Sequence, residues 1–166
     1  MMRTYDLLED DIIAKLSTLN AEGIDVEVLP DRESKYKKPT KPRITVAYIS
    51  SEFSPEVVRG IPQTRSTNEG VLTEFATVKV FFRARVLRGA KGLHNIAIRA
   101  RKLIFGFKPS NWNRLLIKSY QYQEYEDGIW LYSLTMVCTA LVVQDQPDEP
   151  TDGLPQFAEG TVNVTC

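Results

Sequence analysis

Near the N-terminus the apolar positions recur at helical spacing. Tyr5, Leu8, Ile12, Leu16 and Leu19 share one stripe, which Ile13 widens, predicting a helix over residues 5–19. Thr4 or Asp6 is placed to cap it. Asp6, Glu9, Asp10 and Asp11 suit its positive end, and residues 20–23 end it. Val26 and Val28, with Leu29, read as a short strand before Pro30. A polar, Lys-rich loop at 31–42 follows, and then Ile44, Val46 and Tyr48 alternate along a strand at 44–49. From 50 to 70 the alternation lapses among Pro55, Gly60, Pro62 and a polar run. This reads as a long loop or the tip of an extended hairpin, a length that in a small domain is functional or disordered.

The clearest alternation spans 72–87. Ala76, Val78, Val80, Phe82, Ala84 and Val86 fall on one side, and Thr77, Lys79, Phe81, Arg83 and Arg85 on the other. Strand geometry puts these sets on opposite faces of a sheet, one packed on the core and the other a basic stripe. Gly89-Ala90-Lys91-Gly92 turns the chain into a second helix. Its stripe is Leu93, Ile96, Ala97, Ala100, Ile104 and Phe107, with Asn95, Arg99 and Lys102 on another side and Gly106 and Pro109 at its end. After a connector holding Trp112, two alternating runs at 115–125 and 129–143 flank Asp127-Gly128, the strongest short-range hairpin signal. The predicted fold class is α+β: an antiparallel-rich sheet with two main helices on one face. Residues 1–143 form one domain. An acidic, Pro-rich tail at 144–166, with little to bury, is expected to be mobile.

Charge adds what periodicity does not show. The chain is formally neutral, yet no acid lies between Glu74 and Glu124, while the same span holds Lys79, Arg83, Arg85, Arg88, Lys91, Arg99, Arg101 and Lys102 among its cations. Segregation of this kind selects an anionic partner, either nucleic acid or an acidic protein surface. Phe81 among arginines has the character of an interface anchor. The candidate contact residues are Lys79, Phe81, Arg83, Arg85, Arg88, Lys91, Arg99 and Lys102. Tyr120 and Tyr122 are candidates to join Phe81 on that face, where stacking with single-stranded nucleic acid needs several rings.

Other chemistries are poorly supplied. With one histidine, His94, and two distant cysteines, no set has metal-ligand spacing, and Asp10-Asp11 reads as solvated. No metal or cofactor is expected. His94 has no evident nucleophile to serve, and no carboxylate pair has a fixed geometry, so an enzyme is not expected. Cys138, in an apolar strand, reads as a reduced core residue. No apolar run reaches the length of a membrane span, and no signal-peptide pattern opens the chain, so the expectation is synthesis in a cytoplasm without a membrane partner. The sequon at Asn163 is then a chance match. Gly89–Gly92 is similar to the loop with which KH domains clamp a nucleic-acid backbone, but the position between strand and helix favours a plain turn.

The order of these elements — helix, short strands, Pro-containing loop, long strand, helix, hairpin — resembles the tail terminator (tail-completion) proteins of tailed bacteriophages, the lambda U-like proteins and their Mu-like contractile relatives. The resemblance covers most of 1–143 and rests on architecture, so no individual residue role is carried over. It implies a structural virion protein that forms a ring, a hexamer in that family, capping the tail tube and joining it to the head-completion or neck protein. It also implies sheath contact if the tail is contractile, and passage of double-stranded DNA through the ring lumen. The alternative reading is a nucleic-acid-binding module using the basic strand face and the Gly89–Gly92 turn.

Overall fold

The computed structural model describes residues 5–30, 39–55 and 71–143. Most of the loop at 31–42, the tip of the 50–70 segment from 56 on, Thr4, Cys166, the sequon and the tail from 144 lie outside them. Helix α1 (Tyr5–Leu16) and a short 3-10 segment (Ser17–Glu22) lead into β1 (Asp25–Val28), β2 (Arg43–Pro55) and β3 (Val71–Ala84). Helix α2 (Leu93–Ile104), β4 (Leu116–Glu126) and β5 (Ile129–Val143) complete the order. The strands form one sheet, β1-β2-β3-β5-β4, antiparallel except at the β1–β2 pair. The fold is α+β, as the alternation and helical stripes predict.

Both helices cover the same face. Leu8, Ile12 and Leu16 of α1 and Leu93, Ile96, Ala100 and Ile104 of α2 join one core. Beneath them lie Ile44 and Val46 of β2, Val78, Val80 and Phe82 of β3, and Leu134 and Met136 of β5. Acids of α1 fasten the helix to backbone donors. Past the end of β1, the Tyr48 N–H donates to Glu9 Oε1 at 2.6 Å, and the Ser110 N–H donates to Asp11 Oδ2 at 2.6 Å. Asp11 is thus engaged, contrary to its reading as solvated. Cys138 is buried and free, and burial pushes its thiol up to about 12, with the Glu74 charge adding to the effect.

Three boundaries differ from the sequence pattern, each for a local reason. The first helix tightens at Ser17, whose hydroxyl donates to the Ala14 carbonyl at 2.7 Å, and closes at Gly23 in the left-handed region (φ 80°). β2 runs on to Pro55 because a bulge between Tyr48 and Ser50 resets its phase, placing Ser51 opposite Ala76 and Phe53 opposite Glu74. β3 stops at Ala84. Val86, expected in the core row, is 57% exposed, and the Val86 and Leu87 carbonyls instead accept the Leu93 and His94 N–H groups at 2.9 and 3.2 Å. Gly92 sits where this crossing is tightest. A Cβ there would lie 2.5 Å from the Arg88 carbonyl carbon and oxygen. The Asp127-Gly128 turn has positive φ at both residues, as the hairpin requires.

Candidate functional site

No element covers the second face of the sheet among the described residues, and this open face carries part of the sequence-predicted site. Cross-strand register builds it in rows. Arg83 lies between Arg43 and Leu131, Phe81 between Thr45 and Ser133, and Lys79 between Ala47 and Thr135. Thr45, Ala47, Leu131 and Ser133 are buried although no layer lies over them. The long side chains shield them: Lys79, Phe81 and Arg83 are each half-buried. Arg83 Nη1 donates to Thr45 Oγ1 at 3.1 Å, and its guanidinium stands 5.8 Å from the Phe81 ring centroid. Gln123 Nε2 donates to Ser133 Oγ at 2.8 Å. Arg43, directly opposite Arg83, is balanced by Glu27 at 3.3 Å.

Toward the other end the same face exposes large apolar side chains. Phe75, Leu116 and Leu141 are 38%, 60% and 51% exposed. Phe75 and Val137 line a shallow cavity of about 280 Å³ with Glu52, Thr77, Lys118 and Thr135. One face therefore joins a basic-aromatic half to a half where exposed apolar side chains stand among Glu52, Lys118 and threonines.

The remaining predicted residues are placed elsewhere. Arg85 follows the end of β3, and Arg88 and Lys91 are exposed in the turn before α2. Arg99 and Lys102 lie on α2, across the sheet from Lys79 and Phe81, and Arg99 forms an ion pair with Glu22. The acid-free span is thus two basic surfaces separated by the core. Tyr120 and Tyr122 do not join Phe81. They pair with Leu134 and Tyr132 on the helix side, where Tyr120 stacks on Tyr132 at 5.1 Å and meets the edge of Phe82 at 6.2 Å. Bulges between Ile117 and Ser119 and between Tyr122 and Glu124 set that parity, and alternation alone does not reveal them.

The Gly89–Gly92 segment is a turn in which Gly89 has φ 92° and the Gly92 N–H donates to the Gly89 carbonyl at 3.0 Å. With the Leu93 and His94 N–H groups also committed to carbonyls, these donors do not point at a phosphate. His94 Nδ1 lies 3.2 Å from the Tyr120 hydroxyl, and burial, then the neighbouring Tyr132, raises the Tyr120 phenol far above its ordinary range. The cavity there, about 270 Å³, is lined by His94, Ala97, Ile98, Arg101, Tyr120 and Leu134, a set without carboxylate, serine or cysteine. Among the described residues no cluster of metal-ligating side chains occurs, and no helix is long and apolar enough to cross a membrane.

Sequence reasoning missed Glu74. It is 4% exposed on the covered face and accepts hydrogen bonds from the Tyr5 hydroxyl at 2.8 Å and from Ser51 Oγ, which itself accepts from Tyr48. Tyr5 stacks on Tyr48 at 3.9 Å above this network. The signal was its parity with Ala76, Val78 and Val80.

Residues 12–158 match the family described as Gp37 protein. No curated protein matches the chain. Among solved structures, a chain from the "Virion of native gene transfer agent (GTA) particle" aligns with a TM-score of 0.47 and 10% identity, over 84% of this chain and 100% of that one.

Proposed function

The chain belongs to the Gp37 protein family, and we propose that it is a structural protein of a phage-type virion: a tail terminator that assembles as a ring, a hexamer, on the end of the tail tube. The open sheet face carries this reading. An antiparallel sheet tolerates one solvated face when that face is polar. Here Phe75, Leu116 and Leu141 stand exposed beside Lys79, Phe81 and Arg83, a combination suited to a contact between subunits. Heterologous contacts between different patches build a ring when the rotation between subunits closes, so a single subunit type is sufficient. The resemblance of the element order to tail terminators supplies the setting: the tube protein on one side, the neck protein on the other, sheath if the tail contracts, and DNA through the lumen. The function is association, with no bond made or broken.

Negative-stain imaging of purified protein mixed with tail tubes tests the reading. Rings seated on one tube end are expected. Protein that remains monomeric both alone and with tubes would overturn it.

A further inference from the structure

We infer that the groove between α2 and β4, the edge strand of the described sheet, is the docking site for the acidic segment at 145–159 of a second copy of this chain; the inference rests on the reading of the protein as self-assembling. Two cavities, of about 490 and 270 Å³, share Arg101 as a wall. Lys102, Phe105 and Ile117 complete the first, and His94 and Tyr120 help to line the second. Phe105 is 72% exposed, a large apolar side chain left standing beside two exposed cations. The segment beyond β5 offers the complement. Leu154 and Phe157, three residues apart, are bracketed by Asp152 and Glu159, with Asp145, Asp148 and Glu149 upstream. Apolar anchors filling the cavities, with carboxylates on Arg101 and Lys102, match this groove in both size and sign.

Two observations favour this occupant. The family match continues past the end of β5 through residue 158 and so includes Leu154 and Phe157. The direction of β5 favours a second copy. Val137 pairs with Leu116 at the start of β4, and β5 then runs on to Val143, about 20 Å at the usual strand rise, so the chain's own segment would have to double back over that length to reach its own groove. Pro147, Pro150 and Pro155 lack the N–H groups that a strand added to β4 would use, so the contact is made by side chains in the groove.

The test uses full-length protein with p-benzoylphenylalanine in place of Phe157, mixed with isotope-labelled wild-type copies, irradiated and mapped by mass spectrometry. Cross-links between copies, concentrated around Phe105 and Ile117, are expected. Their yield should fall at least tenfold in Arg101→Glu/Lys102→Glu and return when the segment carries Asp152→Lys/Glu159→Lys. Thermal melts check that these exposed changes leave the fold intact. Cross-links confined within one copy, cross-links scattered elsewhere, or a yield indifferent to charge reversal would overturn the inference. Particle mass on the same samples separates the two ideas: rings without this cross-link sink the groove alone, whereas the cross-link without rings sinks the ring reading alone.

Discussion

Phe81 and Phe82 are neighbours on β3, yet they belong to different environments. Phe82 is 1% exposed beneath both helices, and Phe81 is half-buried under Arg83 on the face that no helix covers among the described residues. The covered face gains stability from close packing of large apolar side chains. The open face hides mostly small ones, Thr45, Ala47 and Ser133, with Leu131 the one large apolar exception among the described residues, under long amphipathic side chains whose polar ends reach water. Burial on the open face is thus incomplete in a way a partner can finish, and the two faces should answer differently to mutation.

The largest expected effect is on the covered face. Phe82→Ala should cost about 3–5 kcal/mol in a urea titration, whereas Phe81→Ala should cost about 1 kcal/mol, because solvent fills the space it leaves. Equal losses would erase the distinction. Next comes the turn that delivers α2 to that face. Gly92→Ala forces a Cβ into the Arg88 backbone and should cost about 2 kcal/mol or more, read as a lowered denaturation midpoint. Glu74→Leu leaves the Tyr5 and Ser51 hydroxyls without their acceptor and should cost about 1–3 kcal/mol, with Glu74→Gln, which keeps an acceptor oxygen, costing less.

A smaller effect appears only at high pH. The unfolded Cys138 thiol loses its proton near about 8.5, and the folded one near about 12. Between those values the unfolded chain binds fewer protons than the folded chain, so stability falls as pH rises through the window. The drop in urea midpoint from pH 8 to pH 11 should be smaller in Cys138→Ala than in the wild type. An identical drop would place the thiol outside the covered core.

Much of this architecture is legible in the sequence because period and packing agree. Leu8, Ile12 and Leu16 face inward at helical spacing, the β3 row from Ala76 to Ala84 is buried, and Asp127-Gly128 makes the turn that its composition demands. What escaped depends on events that shift phase or join distant elements. A bulge after Tyr48 carries β2 on through two serines, which looks like the end of a strand. The bulges of β4 turn Tyr120 and Tyr122 toward the helices, away from Phe81. Arg99 finds Glu22 only because α2 packs near the 3-10 segment. A run of cations therefore reads as one stripe in sequence, while the sheet divides it between two faces.

Particle mass measured on Phe75→Asp/Lys79→Glu beside the wild type decides whether the open face joins the subunits. Both positions lie on the open face, Phe75 partly exposed and Lys79 half-buried, so the double variant should melt within about 1 kcal/mol of the wild type. Rings are expected from the wild type and folded monomers from the variant. Rings of unchanged mass in the variant would contradict a contact through that face.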